Sequence, residues 1–498
     1  MKMLRSGLAV IGLMIFSGLS TLAAESTVTV ALTADVPTLD PTIDVAPISL
    51  HVRLNVFDAL TEIAADGSVA PRLATEWTVS PDAVTWTFRL RKGAKFHDGQ
   101  PVTLDDVIWT YQKILADARA PIRTFVSNIK TVEKVGDDQV RFTLSEPLSV
   151  FPRPVSLIYI VPHKAYEAMG ATQFGQTPVG SGPYRVIRWV KDESIELEAF
   201  PGFWGSAPRL KTAILKPVPE ESSRVAALIS GQVDIVPALP PAMVDRLSTQ
   251  PGIRAERADG YRVVYLGFNT VDPLLSDVKL RLAIDTAVDR ETITTKLLRG
   301  MGTPAGQIVS PVTFGYDASV KPTAYDVAKA RALLAESRYK GETIPFHYPS
   351  NNLASAANVA QAISGYLGAI GIKTELIGME YNGFFPLWSA RKLPGMYMFA
   401  NGAIMMDGNS QLTALYETGS RGYWTDPRVD ELIRKQRAET DSGKRLQLMS
   451  EIWRISKDNA PYALLYNERQ AYGLSDGVSW SPRPDGVLRF TEIAPPAR

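Results

Sequence analysis

Residues Trp86–Tyr111 read WTFRLRKGAKFHDGQPVTLDDVIWTY, and the order of elements in this stretch indicates the fold class. Apolar and polar residues alternate strictly over Trp86–Leu90, which predicts a half-buried strand that ends at the turn residues Lys92 and Gly93. Further on, Thr103 precedes two aspartates and an apolar run. Its hydroxyl can cap a helix, and the carboxylates favour the positive end of the helix dipole. The stretch therefore predicts a strand, the turn at Lys92 and Gly93, a second turn at Phe96–Gly99, and a helix.

Strands and helices alternate in the same way along the rest of the chain. The predicted strands include Val28–Leu32, Val140–Leu144, Tyr184–Trp189, Ile195–Ala199, Val263–Phe268 and Thr374–Ile377. The predicted helices are Lys279–Val288, Glu291–Arg299 after a cap at Asp289, Val327–Ser337 after a cap at Asp326, Asn358–Ala369, Arg428–Glu439 and Lys444–Asp458. This mixture predicts an α/β or mixed α+β fold. Because no Gly/Ser-rich linker occurs, we expect the domains to pack closely.

The composition excludes several classes of protein. The chain has 498 residues, of which 45% are hydrophobic and 21% are charged, as in an ordinary globular protein. The 53 basic and 52 acidic residues leave a net charge of +1, which gives no electrostatic reason to expect nucleic acid as a partner. Cysteine is absent, which excludes disulfides, thiolate metal ligands, a cysteine nucleophile and a lipoprotein attachment site.

Residues 1–23 have the pattern of a secretory signal peptide. Lys2 and Arg5 are followed by the apolar run Leu8–Leu19 and then by small residues up to Ala24. The apolar run is shorter than the roughly 20 residues that span a bilayer. An uncleaved anchor is the alternative. We expect export to the periplasm with cleavage of the signal peptide, as a protein that is not a lipoprotein.

A search for catalytic motifs finds none. The chain has no GxSxG nucleophile elbow and no phosphate-binding loop, and its four Ser-x-x-Lys pairs lack companion motifs. A glycosidase site remains an alternative, because its two catalytic carboxylates can be distant in sequence. The histidines lie far apart, without metal-binding spacing, at His51, His97, His163 and His347. We predict no catalytic residue, no bound metal and no cofactor.

Two stretches that read as loops combine aromatic residues, methionines and amides. They are Tyr381–Trp388 and Asn401–Asn409. This composition suits an apolar pocket with a few polar groups that orient a ligand. Ordinary hydrophobic core is the alternative interpretation.

Beyond its local pattern, Trp86–Tyr111 resembles the signature of the family 5 extracellular solute-binding proteins. These are the peptide- and nickel-type periplasmic components of ABC importers. The resemblance covers nearly the whole chain after the signal peptide. Matching segments follow in order at Pro37–Pro41, Phe57–Glu62, Pro71–Trp77, Gly180–Val186, Ala227–Ile235, Tyr265–Thr270, Leu280–Glu291 and Ala460–Tyr466.

The resemblance implies a two-lobed periplasmic-binding-protein fold with two crossing hinge strands and an extra third domain. By analogy, domain I comprises residues 24–46, 177–262 and 467–498. Domain II, the extra domain, comprises residues 47–176, and domain III, the second lobe, comprises residues 263–466. The crossings then fall near Tyr261–Asn269 and Tyr466–Tyr472. A few backbone torsions in such a hinge can absorb closure of the lobes.

The resemblance also implies a function. The protein would capture a small solute, close around it and deliver it to the permease subunits of an ABC transporter in the inner membrane, acting as a monomer without chemical change to the solute. One alternative is a periplasmic hydrolase that acts on peptide or glycan. Another is a binding protein that serves a chemoreceptor or acts as a chaperone. Transport of a metal complex is disfavoured because the histidines are dispersed.

The ligand-binding residues follow from the same resemblance. Dipeptide-type members carry two aspartates in one loop, where a carboxylate pairs with the α-ammonium group of the peptide. Asp407 matches the second of these aspartates, whereas the position of the first is occupied here by Ala403 or Ile404. They also carry an arginine for the carboxylate, whereas the matching segment Leu353–Asn358 has no positive charge. Since an unpartnered buried charge is costly, we expect a peptide held by backbone contacts, or a less charged solute such as a sugar or an opine-like conjugate. The predicted ligand-binding residues are Asp407, Met405, Met406, Asn401, Tyr381, Trp388 and Tyr261.

Overall fold

The computed structural model describes residues 26–494, so the predicted signal peptide lies outside the described residues. Seventeen strands and fourteen α-helices alternate within that range. The strands are β1 (Thr27–Leu32), β2 (Thr61–Ile63), β3 (Val69–Pro71), β4 (Ala74–Val79), β5 (Thr85–Leu90), β6 (Ile129–Val135), β7 (Gln139–Leu144), β8 (Tyr184–Val190), β9 (Ser194–Ala199), β10 (Thr212–Pro217), β11 (Ile235–Val236), β12 (Ile253–Phe268), β13 (Gly302–Pro304), β14 (Thr343–Pro349), β15 (Lys373–Met379), β16 (Met396–Gly402) and β17 (Tyr462–Ser475). The helices are α1 (Leu50–Val56), α2 (Leu104–Ala116), α3 (Pro152–Val155), α4 (His163–Phe174), α5 (Glu221–Ile229), α6 (Pro241–Leu247), α7 (Val278–Thr286), α8 (Arg290–Thr292), α9 (Val327–Ala335), α10 (Ala356–Ile370), α11 (Tyr381–Ser389), α12 (Asn409–Gln411), α13 (Pro427–Ala438) and α14 (Ser442–Asn459).

Two long strands connect the lobes. The main sheet has the strand order β15-β14-β16-β12-β17-β11-β1-β10-β9-β8, and β13 adds to β17. The antiparallel partners β12 and β17 pair from Ile253 opposite Ser475 to Gly267 opposite Tyr462. Strands β11, β1, β10, β9 and β8 lie on one side of this pair, and β16, β14 and β15 lie on the other. The predicted two-lobed fold with two crossing strands is therefore confirmed.

The extra domain has its own sheet and core. Strands β4, β5, β7 and β6 form a four-stranded antiparallel sheet. Phe88 of β5 meets Phe142 of β7 edge to face at 5.6 Å between ring centroids, and Tyr111 of α2 lies 4.8 Å from Phe142. At the start of α2, Thr103 Oγ1 accepts from Asp106 N, and Asp106 Oδ2 accepts from Thr103 N at 2.9 Å, which completes a capping box. The predicted strand–turn–helix unit is confirmed, while the domain limits at 47, 177, 263 and 467 stay predictions.

Most predicted elements begin and end within two residues of the observed ones. Asp289 and Asp326 cap their helices as predicted, through Thr292 N at 3.0 Å and Lys329 N at 2.9 Å. The prediction of one regular helix over Glu291–Arg299 is wrong, because α8 ends at Thr292 and a wider helical turn covers Ile293–Leu297.

The aromatic stretch Tyr381–Trp388 is helix α11, and its interpretation as a loop is wrong. Its aromatic residues recur at the helical spacing i, i+3, i+4 and i+7, so one face of the helix is apolar. That face packs on Phe399 of β16, which lies 5.2 Å from Phe384 and 4.7 Å from Trp388 between ring centroids. Pro386 within the helix obscured this pattern in the sequence.

His97 joins two segments that are distant in sequence. Its backbone N–H donates to Gly180 O at 2.8 Å, its Nδ1 accepts from Gly180 N at 3.2 Å, and its Nε2 lies 3.1 Å from Gly182 O. With Nδ1 as an acceptor and Nε2 as the donor, the ring is neutral. Burial lowers the pKa of His97 to about 4. This histidine therefore fixes the turn at Gly180–Pro183.

We expect the free energy of unfolding to fall as the pH drops from about 6.5 to 4. The unfolded chain binds a proton at His97 near its ordinary pKa of about 6.5, whereas the folded chain binds it only near 4, so stability is complete above the higher value. His97 alone contributes a loss of about 2 kcal/mol between pH 7 and pH 5. Urea unfolding of wild type and His97→Asn at both pH values checks this. The variant should be less stable at pH 7 but lose less on acidification, and equal losses in the two proteins contradict the assignment.

No helix among residues 26–494 combines the length and apolarity that are needed to cross a membrane.

Candidate functional site

The two crossing strands are irregular where the lobes meet. Pairing of β12 with β17 stops after Asp259 and resumes at Val263, so residues 260–262 lie opposite Glu468 alone. Extra residues of this kind form a β-bulge, which redirects side chains and is common beside functional sites. Here the redirected side chains belong to Tyr261 and Arg262.

A cavity of about 410 Å³ opens beside this bulge, and a second cavity of about 730 Å³ adjoins it. Both lobes contribute to the walls, and the two cavities share Glu221 and Asn352. Their sizes match the roughly 300–1,000 Å³ of sites for small molecules. The polar side chains in the wall of the first cavity include those of His51, Glu221, Tyr261, Arg262, Asn352, Glu468, Arg469 and Gln470.

Arg262 and Glu468 form a partly buried ion pair in the wall of the first cavity. Arg262 Nε lies 3.1 Å from a Glu468 carboxylate oxygen, and Arg262 Nη2 donates to Asn352 Oδ1 at 3.1 Å. The side chains of Arg262 and Glu468 are 32% and 16% exposed. Within the described residues, Arg262 Nη1 and Glu468 Oε1 make no hydrogen bond. A guanidinium with free donors is suited to a carboxylate, and a free carboxylate oxygen is suited to a donor.

Positive charge also reaches the second cavity. Helix α10 begins after Ser355 without a capping side chain, and Ser355 and Asn358 line this cavity. The amides at a helix N-terminus favour an anion. Arg299, in a left-handed conformation with φ 51°, lines the same cavity. The segment Leu353–Asn358 has no positive residue, but the fold brings Arg299 beside it.

His51 contributes a neutral ring to the first cavity. Its Nδ1 accepts from Leu488 N at 3.2 Å. Burial lowers the pKa of His51 to about 4, although Asp485 acts in the opposite direction. At neutral pH its proton therefore lies on Nε2, which makes His51 a hydrogen-bond donor without charge.

Asp407 lies outside both cavities, and its carboxylate is fully occupied. Arg445 donates to Oδ2 at 2.7 Å and to Oδ1 at 2.6 Å, and Arg153 Nε lies 3.2 Å from Oδ2. Burial acts to raise the pKa of Asp407, but Arg445 and Arg153 outweigh it and keep that pKa below its ordinary value. Asp407 thus braces its own loop.

The neighbouring methionines also lie away from the cavities. Met406 is 2% exposed and has a left-handed backbone with φ 53°. Met405 packs in an apolar contact with Leu50, Leu157 and Val487. This contact joins the loop of the second lobe to Leu50 and Leu157 in the N-terminal half and to Val487 near the C-terminus.

Of the other predicted residues, Tyr261 lines the first cavity, whereas Asn401, Trp388 and Tyr381 line neither cavity. The ring of Tyr261 lies over Gly402, where a Cβ atom would be 2.5 Å from the ring carbons. The neighbouring Asn401 accepts from Gly402 N at 2.8 Å. Trp388 is 1% exposed in the core. Tyr381 is half-buried, and Arg262 is close enough to oppose the rise in its pKa that burial causes.

Sequence reasoning missed the charged residues of the cavity. Arg262 directly precedes the apolar run Val263–Phe268, and Glu468 follows the apolar run Tyr462–Tyr466, in the two strands that the resemblance already marks as crossings. A charged residue beside each apolar run was the available signal. Asn352 and Glu221 had no comparable signal, because they lie in loop and helix-start positions that only the fold brings together.

Among residues 26–494, no group of three or more histidines, aspartates or glutamates is arranged to hold a metal ion.

Comparison with known proteins supplies the family. The family described as bacterial extracellular solute-binding proteins, family 5 Middle, matches residues 68–423. The chain belongs to this family. The family 5 chain is 28% identical over 460 residues to the dipeptide-binding protein of Escherichia coli K12, with 85% of this chain and 84% of that protein covered.

Solved structures agree with this family 5 assignment. AgaA from A. tumefaciens R10, solved in complex with agropinic acid, is 26% identical with a TM-score of 0.78, and 95% of this chain and 99% of AgaA are covered. HbpA2 from Haemophilus parasuis has a TM-score of 0.86 at 23% identity, with 94% and 99% covered, and supports the fold. The predicted class of function, extracellular solute binding, is confirmed, and the hydrolase alternative is not favoured.

Proposed function

We propose that this chain is the periplasmic binding component of an ABC importer and that it holds a carboxylate-bearing solute of di- or tripeptide size beside the crossing strands. The observation that carries the proposal is the Arg262–Glu468 pair in the wall of a cavity between the lobes. A solute carboxylate would bind the free donors of Arg262. A solute ammonium or hydroxyl group would bind the free oxygen of Glu468.

Capture follows from the position of the cavity. Glu221 belongs to the first lobe and Asn352 to the second, and both face the space beside Arg262. A solute that contacts both lobes stabilises the closed state by its extra contacts, in proportion to its differential affinity. Closure would then present the loaded protein to the permease subunits. No step requires covalent chemistry, so the solute should leave unchanged, and the protein should work as a monomer.

The charge of the cavity modifies the expectation from the sequence. The end-charge residues of dipeptide binders are absent at the matched positions, but Arg262, Glu468 and Arg299 supply charge from other positions. A peptide or an opine-like conjugate carries the carboxylate that this arrangement favours, and a neutral sugar does not. The relatives are in keeping with either choice, since one is named for dipeptides and another was solved with agropinic acid.

A thermal-shift screen tests the proposal. Each candidate, a di- or tripeptide or an amino-acid conjugate, is paired with its C-terminal amide, and sugars are included. A solute at 100 times its Kd stabilises the folded protein by about 2.7 kcal/mol. We therefore expect the free acid to raise the melting temperature. The amide should do so far less, because it lacks the carboxylate that binds Arg262. Mass spectrometry of the mixture should return the solute intact. Equal shifts for acid and amide, or cleavage of the solute, contradict the proposal.

A further inference from the structure

A buried contact away from the cavities joins the extra domain to the second lobe. Arg153 at α3 donates through Nη1 to Met405 O at 2.6 Å and Met406 O at 3.3 Å, and through the same nitrogen to Gly67 O at 2.9 Å. Its Nε lies 3.2 Å from Asp407 Oδ2. The Arg153 side chain is only 11% exposed. We call Arg153, the carbonyls of Met405 and Met406, and the Asp407 carboxylate the Arg153 latch.

We propose that Arg153 is a positioning residue for solute capture, which holds the loop 403–408 of the second lobe against the extra domain in the closed state. Arg153 lines neither cavity, so it acts through the placement of this loop and not by touching the solute. The inference rests on the proposed closure of the lobes around a solute, but not on the identity of that solute.

The distribution of contacts explains why the latch responds to closure. Three of the four acceptors of Arg153 belong to the second lobe, and only Gly67 O belongs to the extra domain. When the second lobe moves away, Arg153 exchanges those three for water. Asp407 keeps both hydrogen bonds from Arg445, since these lie within the second lobe. The loop therefore stays folded in the open state while the contact between domains is lost.

Two further contacts lie at the same interface. Ser149 N of the extra domain donates to Arg437 O of α13 at 2.7 Å. The turn at Gly67 approaches Met406 so closely that a Cβ atom there would lie 3.3 Å from Met406 Cβ. Together with the apolar contact of Met405, these contacts pack the second lobe against the residues that surround the Arg153 latch. The closed state is thus stabilised partly by contacts that do not involve solute.

The absence of cysteine allows a direct test that needs no ligand. Spin labels at Asp137→Cys in the extra domain and Arg434→Cys on α13, both exposed positions, report the distance between domain and lobe by double electron–electron resonance. In the full-length mature protein without solute, we expect Arg153→Met to shift the distance distribution toward longer, open values relative to the otherwise identical labelled protein. An unchanged distribution overturns the proposal.

Kinetics supply the second readout and separate positioning from folding. With a solute from the thermal-shift screen, we expect Arg153→Met to raise the dissociation rate constant about tenfold and to change the association rate constant less than twofold. Arg153→Lys keeps the charge and should recover part of the effect. A lower melting temperature with unchanged distances and unchanged dissociation would show a merely structural role. If no screened solute binds, the proposed function fails while the spin-label result still decides the latch.

Discussion

Replacing Arg445 with methionine is expected to lower the free energy of unfolding by about 3 kcal/mol. Arg445 makes two of the charged hydrogen bonds to Asp407, and both side chains are nearly fully buried. The substitution leaves the buried carboxylate with Arg153, 3.2 Å away, as its charged partner and with Asn409 N as a neutral donor at 2.9 Å. Because removing one partner of a buried ion pair costs more than the pair contributes, the loss should be large. Urea unfolding monitored by circular dichroism measures it.

Arg454→Met is the matched control for this prediction. Arg454 lies on the same helix α14, and its pair with Asp317, at 3.3 Å, is 63% exposed on the arginine side. Exposed pairs contribute about 0–1 kcal/mol, so this variant should be nearly as stable as wild type. A loss of similar size in both variants would contradict the role given to the buried pair.

Replacing Arg262 with leucine is expected to weaken solute binding about ten- to a hundredfold. Hydrogen bonds to charged groups contribute about 1.5–3 kcal/mol, and the substitution also leaves Glu468 without its partner. The effect should fall on the free acid of a solute far more than on its amide, because only the acid uses the guanidinium. Isothermal titration calorimetry with both forms measures the difference.

Arg257→Leu controls for the loss of a charge from the same strand. Arg257 lies on β12 and pairs with Asp245 at 2.7 Å at the surface, away from both cavities. The affinity of the Arg257→Leu variant for the solute should match that of wild type. The role of Arg262 is contradicted if Arg262→Leu binds the acid as tightly as this control, or if acid and amide weaken equally.

Local chemistry made much of the fold predictable. The capping box at Thr103 and the caps at Asp289 and Asp326 each depend on residues within a few positions of one another. Interactions of this kind are visible in the sequence. Helix α11 was missed because it contains Pro386, a residue that usually breaks a helix, although the spacing of the aromatic residues was already helical.

The site was less predictable because its contacts join distant parts of the chain. Arg262 meets Glu468 only because two strands from different parts of the chain pair with a bulge between them. Asp407 was predicted to hold a ligand, yet Arg445 and Arg153 already occupy its oxygens. Neither arginine is marked by spacing or motif, so the sequence alone could not distinguish an aspartate that binds solute from one that braces a loop.

If Arg262 holds a carboxylate-bearing solute that leaves the protein unchanged, the solute should be found in the purified protein. Native mass spectrometry, followed by identification of what denaturation releases, measures this. We expect one intact solute with a carboxylate per protein, and a smaller loaded fraction in Arg262→Leu than in Arg257→Leu. Release of a neutral sugar or of cleavage products, or equal loading of the two variants, would contradict it.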